Sequence, residues 1–380
     1  MGRVVCRCGV FAVVIAVLAG WLAGPSRAVA SGWSVEPMPN PPGLVDWGPT
    51  SVSCAAPRDC IADGIASGPV GAVAHWNGAN WSIEPLEVLA GTGSGALTPW
   101  VSCIPHLGCV VVGADAPRGS GVRWSIPSFP ASIDLSYASS GSLSCASPIA
   151  CTAFGFSRLS EGKSTPPNSV VERWNGKHWT IQPTPTVGHN GSFDAVSCPS
   201  VATCILVGSY SVPGGSRPLT ERWNGTRWSL LRSPRGPSGC FIEAGYSPAF
   251  CSELRHVSCA TPVACVAVGD YGGSFGHALT ERWNGKKWSI QRTPRPPGRS
   301  GSILSGVSCA SATACTAIGT EPGGPFAERW NGTRWTIQRT ASPASPGAVL
   351  NAVSCPTPTD CAAVGSQSGG PLAERWTGHS

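Results

Sequence analysis

Fourteen cysteines stand in seven pairs, each with five residues between the partners: Cys54/Cys60, Cys103/Cys109, Cys145/Cys151, Cys198/Cys204, Cys259/Cys265, Cys309/Cys315 and Cys355/Cys361. Two chemistries suit clustered thiols, disulfide formation and zinc ligation. The pairs lack the shorter spacing and recurrent His partners of zinc sites, so they read as disulfides. Two further cysteines, Cys240 and Cys251, fall in a stretch that interrupts the series and read as a staple across a projecting loop. Polar and aromatic residues that break the pattern just before a first cysteine are the candidates for ligand binding: Trp100, Asp194, Arg255, His256 and Asn351. No catalytic residue or metal ligand is assigned, and no cofactor is implied. HExxH, phosphate-loop and G-x-G-x-x-G dinucleotide motifs are absent from the sequence.

The cysteine pairs are embedded in a longer repeat. Successive first cysteines lie 49, 42, 53, 61, 50 and 46 residues apart, the period at which a small sheet repeats around an axis. The unit starting at Val257 reads VSCATPVACVAVGDYGGSFGHALTERWNGKKWSIQRTP, and VVERWNGKHWTIQPTP, LTERWNGTRWSLLRSP and FAERWNGTRWTIQRT repeat its second half. Four short strands per unit follow. One approaches the first Cys, the second leaves its partner, and the third and fourth flank Asn-Gly, a strong hairpin signal. A two-residue turn would pair Glu281 with Trp288; a four-residue turn would pair Trp283 with Trp288.

The expected fold is therefore all-β: a seven-bladed β-propeller closed by an N-terminal strand that completes the last blade. The final unit stops at LAERWTGHS, and SGWSVEPMPNP near the start matches its missing fourth strand. The second unit lacks ERWNG, which marks it as a degenerate, three-stranded or merged blade. The fourth carries an insertion at about 236–254. The repeat resembles secreted actinobacterial proteins with VSC…C.AVG…ERWNG..W.I units and, more broadly, seven-bladed β-propeller proteins. That resemblance implies an exported propeller without choosing among binders, scaffolds, lyases and hydrolases.

Residues 1–30 have the form of a cleavable export signal, with Arg3 and Arg7, an apolar run from Val10 to Leu22 and Ala28-Val29-Ala30 before Ser31. Residues 31–380 are then a single domain. Loss of the signal takes 26 Lys and Arg against 20 acids to 23 against 20, so the net charge falls from +6 to +3. No basic block remains to track a nucleic acid. Nothing after the signal reads as a membrane span, and an even number of remaining cysteines suits an oxidising compartment.

The recurring Glu/Arg pairs, Glu172/Arg173, Glu221/Arg222, Glu281/Arg282, Glu328/Arg329 and Glu374/Arg375, place adjacent residues on opposite strand faces. Each Glu is expected to meet a partner across or between blades, in a structural role. The Trp pairs are expected to pack, and the NWS, NGS and NGT triplets at Asn80, Asn190, Asn224 and Asn331 read as turns before they read as glycan acceptors. Function is then expected to be that of a secreted, non-catalytic binding or scaffold protein, monomeric, presenting loops to an extracellular protein or carbohydrate. A glycan-active enzyme, a glycoside hydrolase or polysaccharide lyase with carboxylates converging near the axis, is the alternative.

Overall fold

The computed structural model describes residues 32–42, 47–65, 72–84, 87–88, 100–112, 114–115, 122–126, 142–156, 169–185, 189–213, 215–234, 252–272, 276–294, 301–341, 347–368 and 370–378. The export signal, most of the insertion and the Cys240/Cys251 pair lie outside them.

The fifth unit shows how the repeat folds. Strands Ser252–Thr261, Ala264–Tyr271, His277–Trp283 and Trp288–Ile290 form one antiparallel meander. Its first strand starts at Ser252, so residues 252–254 belong to the sheet and not to the insertion assigned from sequence. Cys259 lies directly opposite Cys265, and the two are bonded. Trp283 lies opposite Trp288, which settles the hairpin on the four-residue turn. Asn284 explains the choice: its side-chain Oδ1 accepts the N–H groups of Lys286 and Lys287 at 3.0 and 2.9 Å, while Gly285 takes a φ of 88°. The same turn recurs at Asn77, Asn175, Asn224 and Asn331.

All seven short cysteine pairs are disulfides: Cys54–Cys60, Cys103–Cys109, Cys145–Cys151, Cys198–Cys204, Cys259–Cys265, Cys309–Cys315 and Cys355–Cys361. They are not surface clips. The second member of each pair, Cys60, Cys109, Cys151, Cys204, Cys265, Cys315 and Cys361, is buried to 2% exposure or less. Each opens the second strand of its sheet, which lies between two other strands and packs against the next unit. These cysteines therefore serve the core and present nothing to a ligand, which sets them apart from the binding candidates.

Among the described residues, six sheets are complete four-stranded blades, rather than the seven expected. The second unit forms a three-stranded sheet in which Val122–Ile126 runs parallel to Gly108–Val112. Among the described residues no third strand enters this sheet: Ala114–Asp115, which follows Gly108–Val112, pairs instead with Glu87–Val88. VRWSI has the sequence of a fourth strand, and in a meander the fourth strand runs parallel to the second. With nothing between them, the two pair directly.

Gly32–Val35 completes the sheet of the last unit, pairing antiparallel with Gly370–Thr377. Trp33 stands opposite Trp376, the place taken by Trp288 opposite Trp283 in the fifth unit. The apolar cores lie between sheets. Ala195, Ile205 and Val207 of the fourth unit pack on Leu254, Val257, Leu279 and Trp283 of the fifth. Val52, Ala62 and Ala74 of the first pack on Ala352, Ala362 and Val364 of the last. Each sheet thus finds its hydrophobic partner next door, and the series returns to its start as an all-β propeller.

Candidate functional site

The repeated residues are consumed by the junctions between sheets. In every unit the Ser before the first cysteine uses its hydroxyl to accept the backbone N–H of the next unit's first cysteine. The bonds run Ser53 to Cys103, Ser102 to Cys145, Ser144 to Cys198, Ser197 to Cys259, Ser258 to Cys309, Ser308 to Cys355 and Ser354 back to Cys54, at 2.8 to 3.0 Å. This closed series gives the Ser-Cys dipeptide of each unit two connected jobs, a staple within its sheet and a bond to its neighbour.

Glu and Arg of the ERW motif face opposite ways. Arg329 lies 3.5 Å over the Trp376 ring of the next sheet and donates to Thr316 Oγ1 and the Pro358 carbonyl at 3.0 and 2.7 Å. Arg173 does the same over Trp223, with Thr152 and Val201 as acceptors. Arg375 lies over Trp76 and donates to the Pro57 carbonyl and Asp360 across the closing junction. The glutamates are sealed on the other side. Glu374 accepts the Ala341 N–H at 2.9 Å. The two carboxyl oxygens of Glu221 and of Glu328 have no hydrogen-bond partner among the described residues, so the expected inter-blade partner is not found there. Burial pushes both groups up to about 8, and they sit in the apolar layer as neutral acids. The Trp pairs pack with ring centroids 5.6 to 5.8 Å apart.

The pattern-breaking residues occupy a different place. Each innermost strand begins at one face of the molecule, here the entry face, and runs to the cysteine loop at the other, the staple face. In five of the seven units the strand carries a β-bulge near its start, between Pro49 and Ser51, Phe193 and Ala195, Leu254 and His256, Leu304 and Gly306, and Leu350 and Ala352. The extra residues are Thr50, Asp194, Arg255, Ser305 and Asn351. The bulge also accounts for the Gly of the AVG string on the neighbouring strand. A Cβ at Gly208, Gly269, Gly319 or Gly365 would collide with the carbonyl oxygen of Ser192, Glu253, Ile303 or Val349. Bulges re-aim side chains, and here they present one residue near the entry face in each of these five units.

Two of the five candidates come together there. Arg255 Nε donates to Asp270 Oδ1 at 2.6 Å, and its Nη2 lies 3.4 Å from Glu253 Oε2. Asp194, on the bulge of the preceding sheet, feels the charges of both Glu253 and Arg255. Protein surrounds much of the Asp194 carboxylate, and this desolvation raises its pKa, with repulsion from Glu253 adding and attraction to Arg255 opposing. The side chain nevertheless keeps solvent contact, so the desolvation acts only in part. Glu253 moves upward for the same first reason. Glu253 and Asp270 were not singled out in the sequence; their signal was position, two residues before and fifteen after Arg255, at the start and end of paired strands.

The remaining three candidates serve the junctions. His256 points to the next sheet, where its Nδ1 accepts the Val307 N–H at 3.4 Å; burial pushes its pKa down to about 4 and keeps it neutral. Asn351 Nδ2 donates to the Pro49 carbonyl at 3.0 Å, across the closing junction. Trp100 is buried with Ile104, Val110, Val112 and Ile126, so it belongs to the core of the three-stranded sheet and does not join Asp194.

No protein-family model and no curated protein matches the chain. Among solved structures, the chain is similar to YCF48 bound to D1 peptide, with 14% identity, a TM-score of 0.53 and coverage of 94% of this chain and 100% of that one. A protein of unknown function from Dyadobacter fermentans DSM 18053 aligns at 12% identity and a TM-score of 0.50, covering 91% and 98%. A six-bladed β-propeller fungal lectin from Aleuria aurantia aligns at 12% identity and a TM-score of 0.49, covering 87% and 93%. At such identities the likeness is one of fold.

Proposed function

We propose that this chain is an exported, non-catalytic propeller that binds an extracellular protein or carbohydrate at its entry face. The observation that carries the reading is the division of labour among residues. The repeated Ser, Cys, Glu, Arg and Trp are committed to sheet junctions, whereas Asp194 and Arg255 stand exposed on bulges, with the partly buried Glu253 and the buried Asp270 holding Arg255 from behind. The three-stranded sheet takes a seventh position in the ring. Residues 31–380 form the single domain, released by cleavage after Ala30 and monomeric. Its insertion directly precedes, in sequence, the strand that bears Glu253 and Arg255. Seven described disulfides fit a protein that functions in an oxidising compartment.

The test is a screen of oxidised protein against a glycan array and a displayed peptide library, beside the Asp194→Asn/Arg255→Ala variant. Binding by the parent that the variant loses supports the assignment. Binding equal in both, or none to either library, sinks it. A second reading rests on Asp194, an accessible carboxyl with a raised pKa beside Glu253, which is the form of an acid/base pair in glycan cleavage. Turnover of a polysaccharide that disappears in Asp194→Asn would replace the binding reading with this one.

A further inference from the structure

The staple face is not uniform around the ring. Ile149, Val201 and Val263, at the tips of the cysteine loops of units three, four and five, are 65%, 55% and 57% exposed. Leu107 of the second unit adds a fourth exposed aliphatic side chain, at 45%. In units six, seven and one, the corresponding loops instead carry the polar residues Thr313, Thr359 and Arg58.

Cations stand on the aliphatic arc, and the same face also carries Arg334 in the turn of unit six and Arg58 in the loop of unit one. The Asn-Gly turns at this same face place Lys177 in unit three, Arg227 in unit four, and Lys286 and Lys287 in unit five, all exposed. Neither the cysteine loops nor the Asn-Gly turns of these three units contain an Asp or Glu. Asp59 and Asp360 stand in the cysteine loops of units one and seven, on the other part of the ring. The cations are free to act outward, because the Asn side chain and backbone hold each turn without help from them.

The Ser–Cys bonds hold the cysteine loops of neighbouring sheets side by side, so the aliphatic tips and the cations of units three to five share one face. A face that pairs protruding aliphatic side chains with positive charge, and carries no acid in these loops and turns, matches an anionic lipid surface: the cations meet phosphate groups and the aliphatic tips enter the interface. We propose that the staple face of units three to five docks on anionic membrane surfaces. A groove-bound peptide would call for concavity, and a soluble acidic glycan would have no use for the aliphatic tips.

The experiment uses oxidised protein, sedimented with vesicles of phosphatidylcholine alone or mixed with phosphatidylglycerol. The expected result is capture by the mixed vesicles only, weakening as salt rises. Lys177→Ala/Arg227→Ala/Lys286→Ala/Lys287→Ala should weaken capture by more than about 100-fold at low salt. Ile149→Ser/Val263→Ser should weaken it by about 10-fold or more. Both variants change exposed turn side chains and should keep the parent's thermal midpoint. Absence of capture by any vesicle overturns the proposal, as does capture that neither variant reduces. If only the charge variant loses binding, and dextran sulfate binds as tightly as vesicles, the face belongs to acidic glycans and the lipid assignment fails. Asp194→Asn/Arg255→Ala should leave vesicle capture unchanged, which separates this face from the ligand site proposed at the other.

Discussion

The hydroxyl of Ser53 accepts the backbone N–H of Cys103 at 2.8 Å. The acceptor lies in a complete blade and the donor in the three-stranded sheet, so the least regular unit is tied into the series by the same bond as its neighbours. Its irregularity is confined to the outer strands. The inner strands, where the sheets meet, keep the repeat.

Removing one link should be measurable. Ser258→Ala leaves the N–H of Cys309 without its acceptor and should cost about 1 kcal/mol. Urea titration of the oxidised protein checks this. A change indistinguishable from that of Ser289→Ala, whose hydroxyl bonds locally, donating to the Arg282 carbonyl at 3.4 Å and accepting from Gln291 Nε2 at 3.2 Å, would show that the inter-sheet bond has no special weight.

Gly269→Ala should do more damage than a surface change, because the added methyl meets the Glu253 carbonyl in the backbone of the bulge. A loss of about 1–3 kcal/mol is expected. Gly32, with open space around its Cβ position, is the control. If the chain instead accommodates the methyl, the Arg255 to Asp270 pair must shift, and ligand binding at the entry face should fall while stability holds.

Glu328 makes stability depend on pH in a defined direction. Its folded pKa, raised to about 8 by burial, exceeds the ordinary 4.5, so the native state holds its proton more tightly than the unfolded chain. Stability from this group is intact below about 4.5 and declines as pH rises through about 8. Glu328→Gln should therefore raise the thermal midpoint at pH near 8 and leave it little changed near pH 4. An equal shift at both pH values would mean that the carboxyl is not the titrating group.

His256 works from the other side. Its pKa falls from 6.5 to about 4 on folding, so the unfolded chain takes up the proton first and stability is lost as pH drops through that interval. In His256→Gln the acid limb of a midpoint-against-pH curve should flatten between those values. A variant whose acid limb superimposes on that of the parent would assign the loss to other groups.

Much of this architecture is legible in the residues. Five intervening positions put Cys259 opposite Cys265, Asn-Gly fixes the turn after Trp283, and Trp33 announces itself as the missing partner of Trp376 because its neighbours copy the fourth-strand string. The sheet of the second unit was harder to read, since the outcome of deleting a third strand depends on which strand slides into its place. The site was legible only in part. Asp194 and Arg255 stand out as departures from the repeat, but so do His256, Asn351 and Trp100, and departure alone does not say whether a side chain faces solvent, a neighbouring sheet or a core. Bulges make that decision, and a bulge appears in the sequence only as one residue too many before a cysteine.

Ring closure has a consequence for the order in which the chain folds. Each disulfide links cysteines six positions apart, so every hairpin can be stapled as soon as its two strands meet in an oxidising medium. Ser34, by contrast, must wait for Arg375, 341 residues later. The first strand to emerge is thus among the last to find its place. Until then the sheet of the final unit stands one strand short, with a bare edge that another copy's leading segment would fit as well as its own. Folding at high concentration would then favour exchange of that segment between molecules, a linkage that a covalent tie between residues 32–35 and 374–377 would prevent.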